Sequence, residues 1–266
     1  MSGQILIHEG ILVAGSSAPA IRMSTPDDLA AESSALLFAL SGRDPGEYVN
    51  DAFRSRKGGA PFSLFPVNAE NFAVKELGGR LAIVSPGTTS ARTLVSPAQQ
   101  FRGGFTAVVA VYVAAESIAS GADTNIISIL DEGSSKTRIF NPIRYGGGGT
   151  FRFNSFSGTA VPAGAPGWYI VVSDFAPLAP ASSPSATYRL GVNAIPSNPI
   201  TTSSIDLPSV YQNPSLAVGY HTGSNGLRDC GVGDLYFHNE SLCSSQSGLA
   251  YLGELIATLK AQYGIA

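Results

Sequence analysis

Residues 105–113 form the segment that most restricts how this chain can fold. The segment reads Phe-Thr-Ala-Val-Val-Ala-Val-Tyr-Val, and alternate side chains of an extended strand point to opposite faces. Phe105 and Val109 share one face, whereas Val108 and Tyr112 share the other, so both faces are mostly apolar. A strand that is apolar on both faces is typical of the inside of a sheet that is covered on both sides. The pattern therefore predicts a central strand.

The composition favours short strands joined by many turns. Charged residues make up only 13% of the 266 residues, and the chain has 30 glycines and 17 prolines. Further strands are predicted at residues 78–84, 125–130, 137–145, 150–156, 167–174, 188–193 and 216–220. The four glycines at 146–149 are interpreted as a turn, because no helix and no Lys-Ser/Thr pair follows them as in a phosphate loop.

A last strand is predicted at residues 230–239. Its Leu235 and Phe237 point one way, and Tyr236 and His238 point the other. The preceding Gly-Val-Gly, residues 231–233, lacks the third glycine of a dinucleotide fingerprint and leads into a strand, so we interpret it as a turn.

A helix is predicted at residues 244–263. An apolar stripe at three- and four-residue steps indicates it: Leu249, Leu252, Ile256, Leu259 and Tyr263. Ser244 or Ser245 can cap its first amides, and Gly264 can end it with a positive φ. Because two internal glycines weaken the helix, we expect it to be held by packing on the rest of the molecule.

Four of these segments occur in a recognisable order: residues 188–193, 216–220, 230–239 and the closing Tyr-Gly-Ile at 263–265. Together they resemble the concanavalin A-like lectin/glucanase domain of the laminin-G-like type, of the kind found in bacteriophage virion proteins. The resemblance implies an all-β fold, an antiparallel two-sheet jelly-roll sandwich with a C-terminal helix. It covers residues 100–266 well and residues 45–100 loosely. This fold hosts binders, hydrolases and structural modules, so it does not assign a function by itself.

Residues 1–45 differ from the rest and are predicted to be an N-terminal arm or docking segment, with the sandwich at 46–266. Residues 5–13 read as one strand, and a small-residue linker follows at 14–20. A helix is predicted to start at Thr25 and to continue through residues 30–40. We expect the arm to dock on a neighbouring copy or on another virion subunit. The alternative is that residues 5–13 form an edge strand of the same sandwich.

No pattern for catalysis is found in the sequence. Glycosidases of this fold carry carboxylates two residues apart on one strand, and the chain contains no Glu-x-Asp. The adjacent acids at 27–28 and 131–132 are interpreted as parts of a helix cap and a turn. The histidines, including His221 and His238, are expected to have structural polar roles. We therefore expect a protein that is not an enzyme and has no cofactor.

The two cysteines, Cys230 and Cys243, are expected to be free thiols, with a disulfide as the alternative. No His or Cys lies at metal-ligand spacing. Some laminin-G-like domains hold calcium through oxygens at one rim of the sandwich. The weak candidates for such a site are Asp123, Asn125, Asp131 and Asn141.

A sugar site needs an aromatic platform with amide or carboxylate partners. The candidates for carbohydrate binding are Trp168, Tyr145, Asn154, Tyr220 and His221. Burial of Trp168 in the core is the alternative, because single tryptophans usually pack inside.

The sequence favours a non-catalytic virion accessory protein, from a tail, fibre, baseplate or capsid decoration, that uses its sandwich for adhesion or subunit cementing. The alternatives are a polysaccharide-degrading enzyme and a carbohydrate-binding lectin. A net charge of −3 argues against nucleic acid as a partner, and no apolar run reaches membrane-spanning length. The start of the sequence lacks a positive n-region, so we expect synthesis in a host cytoplasm and residence in the virion.

Overall fold

The structure is a computed structural model that describes most of the chain. The described residues are 25–43, 48–49, 52–65, 72–85, 93–98, 104–131, 138–146, 148–154, 160–177, 186–202, 214–220, 227 and 230–266. The helices are α1 (Pro26–Glu32), α2 (Ala115–Ser120) and α3 (Gln246–Tyr263), with a 3₁₀ turn at Leu242–Ser244. The strands are β1 (Leu36–Ser41), β2 (Tyr48–Val49), β3 (Ala52–Arg54), β4 (Pro61–Phe65), β5 (Ala73–Leu77), β6 (Arg80–Val84), β7 (Thr93–Val95), β8 (Phe105–Val113), β9 (Thr124–Leu130), β10 (Arg138–Gly146), β11 (Thr150–Arg152), β12 (Val161–Pro162), β13 (Gly167–Pro177), β14 (Ala186–Val192), β15 (Ile200–Thr202), β16 (Ser215–Gly219) and β17 (Cys230–His238).

The strands form two antiparallel sheets packed face to face, as predicted. The first sheet has the order β15-β14-β13-β8-β17-β6-β5, and β1 also pairs with β17. The second sheet has the order β12-β11-β10-β9-β16-β7-β4-β3-β2. A core rich in Phe, Val and Ile fills the space between the sheets. A second apolar cluster joins the outer face of the first sheet to α3.

The central position predicted for residues 105–113 is confirmed. β8 lies between β13 and β17, and its side chains are buried except for the half-buried Tyr112. Phe105 and Val109 belong to the core between the sheets, whereas Val108 packs towards α3. The strand is apolar on both faces because it is covered by the second sheet on one side and by the helix on the other.

The prediction of a turn at residues 231–233 is wrong, because these residues lie inside β17. Gly231 and Val232 pair with β6, and residues 234–238 pair with β1, so the strand changes its neighbour at Gly233. A β-carbon at Gly233 would lie 2.7 Å from Cζ of Tyr263 and would clash with its hydroxyl. The glycine is therefore required by the close approach of α3 and not by a turn.

The prediction that the helix continues through residue 40 is wrong. α1 ends at Glu32, and Leu36–Ser41 is a strand of the first sheet, paired with β17. The start is confirmed: the Thr25 hydroxyl accepts from the Asp28 amide (3.2 Å), and the Asp28 carboxylate accepts from the Thr25 amide (3.0 Å). The apolar residues after Ser33 pair with a strand almost 200 positions later, which local propensity could not reveal. The strand predicted at 5–13 and the linker at 14–20 lie outside the described residues.

The C-terminal helix is confirmed with small changes. The Ser245 hydroxyl accepts from the Gly248 amide (3.0 Å), and Gly264 ends the helix with φ 67°. Leu249 is only half-buried, while Leu255, which the stripe did not include, is fully buried.

Within the described residues, no helix combines the length and the apolar character that crossing a membrane requires.

Candidate ligand-binding surface on the second sheet

Two of the predicted sugar-binding residues are core residues. Trp168 is 9% exposed, donates from its ring nitrogen to the Leu77 carbonyl (3.0 Å) and packs on Tyr263 with ring centroids 4.5 Å apart. Tyr145 is fully buried and donates to the Ala163 carbonyl (3.0 Å). Burial raises the pKa of Tyr145 to about 12, so it remains a neutral donor. Neither ring can serve as an exposed platform, because Tyr145 lies between the two sheets and Trp168 lies between the first sheet and α3.

Tyr220 is the predicted binding residue that the structure places on an accessible surface. Gly219, with φ 79°, ends β16 and turns the chain, and the half-buried Tyr220 ring packs back against a small apolar cluster of Val95, Leu130 and Ala217. Its hydroxyl accepts from the Arg138 amide at 3.3 Å. The exposed Arg138 guanidinium stands over the ring, 5.1 Å from its centroid. This is a cation–π geometry that fixes both side chains. His221 lies outside the described residues.

Phe65 extends this surface, although the sequence analysis did not single it out. It is half-buried and packs against the same apolar cluster as Tyr220. Next to it an open groove of about 260 Å³ follows β4 and β7. The groove is lined by Pro61, Ser63, Leu64, Phe65, Val95, Ser96 and Pro97. No strand is predicted over residues 61–65, and a single aromatic residue in the sequence does not distinguish a core ring from a surface ring.

The sheet register shows that these groups share one face. Val95 lies opposite Ala217, Ala217 lies opposite Ser128, and Leu130 lies opposite both Ser215 and Arg138. Directly opposed residues of neighbouring strands project to the same side of a sheet. We call this face, which carries Phe65, Val95, Leu130, Arg138, Ala217 and Tyr220, the β16 surface.

Two buried hydroxyls lie at the base of the β16 surface. Ser215 pairs with Leu130, and Thr93 pairs with Phe65, which places both hydroxyls on the outer side of the sheet. Neither hydroxyl has a hydrogen-bond partner within the described part of the chain. Buried polar groups are nearly always bonded, so each of these hydroxyls carries a free-energy penalty.

The candidate calcium residues are held by protein groups. The Asn141 side chain donates to Asn125 (2.6 Å) and accepts from Ser128 (2.8 Å). Asn154, with φ 54°, accepts from the Asn141 amide (3.0 Å) and so closes a turn. This network explains Asn154 as a structural residue beside the β16 surface.

The two candidate aspartates are not part of that network. Asp123 forms an ion pair with Arg144, and Asp131 is half-buried at the end of β9. Within the described residues, no group of three or more His, Cys, Asp or Glu side chains is placed to hold a metal ion.

Two fully buried carboxylates, Asp174 and Asp234, were not identified from the sequence. Both interrupt otherwise apolar strands, which was the available signal. Asp174 accepts from Thr106 (2.7 Å), from Arg189 (3.0 Å) and from Ser241 (2.9 Å). These bonds hold the 3₁₀ turn before α3 against the first sheet.

Asp234 has the same structural role at the other end of α3. It accepts from Arg43 (3.1 Å), from Gln262 (2.6 Å) and from Tyr263 (2.9 Å). Burial, and then the charge of Asp234, raises the pKa of the Tyr263 hydroxyl, which therefore remains a donor. All of these contacts fasten the helix and the segment after β1 to β17.

The cysteines are unbridged, as predicted. Cys230 is buried, and its sulfur lies 3.4 Å from the Ser117 hydroxyl. Burial, and then the nearby Asp174 carboxylate, raises the pKa of Cys243 to about 12. The Cys243 thiol therefore stays protonated near neutral pH, which makes it a poor nucleophile.

Solved structures of other proteins share the β-sandwich. Trypanosoma rangeli sialidase in complex with sialic acid matches 86% of this chain and 33% of its own, with 14% identity and a TM-score of 0.55. The same enzyme in complex with the inhibitor DANA matches 83% of this chain and 33% of its own, with 14% identity and a TM-score of 0.54. The receptor-binding domain of botulinum neurotoxin D matches 83% of this chain and 53% of its own, with 11% identity and a TM-score of 0.49.

The chain thus spans about a third of the length of the sialidase chains that it matches. No protein-family model matches the sequence, and no curated protein sequence matches it. At these identities the likeness to the sialidase structures shows the β-sandwich fold alone.

Proposed function

We propose that this chain is a non-catalytic, lectin-like binding module that holds a carbohydrate on the β16 surface. The observation that carries the proposal is the accessible Tyr220 ring with Arg138 stacked on it, beside Phe65 and an open groove. Aromatic faces bind the apolar faces of sugar rings, and a guanidinium supplies several hydrogen-bond donors to sugar oxygens. A mostly apolar concave surface with few polar groups is typical of a small-ligand site. Such binding requires no cofactor.

The absence of catalysis is part of the proposal. Glycoside hydrolysis commonly uses two carboxyl groups that flank the scissile bond and exchange protons with it. Asp174 and Asp234 are fully buried, and each is held by at least three donors, so neither carboxylate faces the β16 surface. Incubation with capsular and cell-wall polysaccharides should therefore release no oligosaccharide. Release that is lost on substitution of a single carboxylate would favour a polysaccharide-degrading enzyme instead.

A glycan array followed by titration calorimetry tests the site. Tyr220→Ala removes the ring and should weaken binding of a selected glycan about tenfold, since aromatic contacts contribute roughly 1 kcal/mol. Tyr220→Phe keeps the ring and should retain most of the affinity. Arg80→Ala, an exposed arginine at the start of β6 in the first sheet, is the matched control for Arg138→Ala. Unchanged affinity in both Tyr220→Ala and Arg138→Ala would contradict the assignment.

We further propose that the module belongs to a virion accessory protein, in a tail, fibre, baseplate or capsid decoration. The low charge and the resemblance of the closing segments to domains of phage virion proteins support this setting. In this proposal residues 2–24 dock the module on a neighbouring copy or on a virion partner. Electron microscopy of purified particles with this protein gold-labelled is the test. Unlabelled particles, from cells that contain the labelled protein, would exclude the virion setting.

A further inference from the structure

The outward face of α3 is unusual for a surface helix. Ala250, Gly253, Ala257 and Ala261 recur there at steps of three and four residues, and three of them are exposed while Gly253 is half-buried. The exposed face of a helix ordinarily carries charged and polar side chains. Here the small side chains leave the helix backbone accessible to close approach by another element.

An apolar groove runs beside this face. It has a volume of about 490 Å³ and lies between α3 and the loop that follows β14. Ile195 of that loop is 36% exposed and is the one large hydrophobic side chain of the described residues with this exposure. A β-carbon built at Gly253 would lie 3.6 Å from Cδ1 of Ile195, so the isoleucine forms the rim of the groove.

Two opposite charges are placed symmetrically on the same face. Glu254 comes three residues before Ala257, and Lys260 comes three residues after it. Six residues separate them by about 9 Å along the helix axis, which is not the spacing of an intrahelical pair. Neither side chain forms an ion pair within the described part of the chain. A half-turn about Ala257 that reverses the direction of the helix brings Glu254 to the position of Lys260 and Lys260 to the position of Glu254.

We propose that two copies of this chain form a dimer through this face, with the two α3 helices antiparallel and a twofold axis at Ala257. In this arrangement Glu254 pairs with the partner subunit's Lys260, and Lys260 pairs with the partner subunit's Glu254. Gly253 lies against the partner subunit's Ala261. The charge pattern selects a second copy as the occupant, because an isologous interface must be complementary to itself. Ile195 of each subunit packs at the edge of the contact between the two α3 helices.

Sedimentation equilibrium of the full chain tests the dimer by charge exchange. The wild type should sediment with twice the 27.4 kDa mass of one chain. Glu254→Lys or Lys260→Glu brings like charges together and should raise the dissociation constant at least tenfold. The double variant, Glu254→Lys with Lys260→Glu, restores opposite charges and should recover the dimer. Lys57→Glu, in the exposed turn between β3 and β4 of the second sheet, is the control and should remain dimeric.

Each alternative outcome overturns the proposal. A wild type that is monomeric at all accessible concentrations excludes the dimer. Single charge reversals that stay dimeric place the contact elsewhere, and a double variant that stays monomeric excludes the antiparallel pairing. Ala257→Trp is an independent variant, since an indole on the twofold axis should separate the helices. Thermal unfolding of each variant checks that the fold is retained.

Discussion

At the scale of single residues, the two ring nitrogens of the buried His238 differ in their hydrogen bonding. Its Nε2 lies 2.8 Å from the Tyr251 hydroxyl, and its Nδ1 has no hydrogen-bond partner within the described part of the chain. Burial lowers the pKa of His238 to about 4. The ring is therefore neutral at pH 7, which fits the structural role that the sequence analysis expected.

Acid should destabilise the protein through His238. The unfolded chain protonates this histidine near pH 6.5 and the folded chain near pH 4, so the unfolded state binds the extra proton in that window. The free energy of unfolding should fall by up to about 1.4 kcal/mol per pH unit as the pH drops from 6.5 to 4. Urea unfolding at several pH values measures this slope. His238→Gln should flatten it, and an equal slope in the variant would assign the effect to other groups.

Gly233 should be intolerant of a side chain. In Gly233→Ala the new methyl group would displace Tyr263 and break its bond to Asp234, so we expect a loss of about 1–3 kcal/mol of unfolding free energy. Gly164→Ala, in the exposed segment before β13, is the matched control. Its methyl group would meet no atom within 4 Å, so the free energy of unfolding should change by less than about 0.5 kcal/mol. Chemical denaturation of both variants is the measurement, and equal effects would contradict the packing argument.

At the scale of elements, α3 is fastened to the first sheet by an apolar face and by two carboxylates. Leu252, Leu255 and Leu259 are fully buried against the sheet. Asp174 holds the turn before the helix, and Asp234 holds its last turn. The sequence indicated the apolar face through its periodicity. It did not indicate the carboxylates, because their donors come from distant parts of the chain.

Leu252→Asp should be strongly destabilising. The substitution removes a buried leucine, which costs about 2–5 kcal/mol, and adds an unpaired charge in an apolar layer. Leu249→Asp places the same charge on the same helix at a half-buried position and should have a clearly smaller effect. Differential scanning calorimetry compares the two. A melting temperature of Leu252→Asp within one degree of the wild type would show that this side chain is not packed as described.

At the scale of the whole molecule, the segment between Thr25 and Ser41 belongs to the sandwich. β1 pairs with β17, and Asp27 of α1 binds Arg43, Arg56 and the Tyr236 hydroxyl. The expectation that residues 1–45 form an arm apart from the sandwich therefore fails for residues 36–41, which are a strand of the first sheet.

Two deletions should distinguish these parts. Deleting residues 2–40 removes a paired strand and exposes the edge of β17, so we expect the remainder to lose its cooperative unfolding. Deleting residues 2–24 keeps the capped α1 and every described strand, and this variant should unfold cooperatively near the wild-type temperature. Circular dichroism during heating is the measurement. A folded 2–40 deletion would mean that the pairing of β1 is dispensable.

Local periodicity and backbone chemistry are enough to predict some features of this fold from the order of the amino acids. The two-sided apolar pattern of residues 105–113 required a covered strand, and the stripe, Ser245 and Gly264 required a helix near the C-terminus. These features follow from side-chain direction and from the backbone groups at a helix end, which neighbouring residues already specify.

The way in which distant segments combine depends on contacts that form in the folded chain. β1 became a strand because β17 offers it backbone partners, and residues 231–233 stayed extended because β6 and Tyr263 pack against them. Trp168 and Tyr145 are candidate binding residues in the sequence, but α3 covers Trp168 and the two sheets enclose Tyr145, while Tyr220 lies on the β16 surface. The exposure of a side chain and the pairing of a strand depend on contacts between residues far apart in the chain, and no local pattern encodes those contacts.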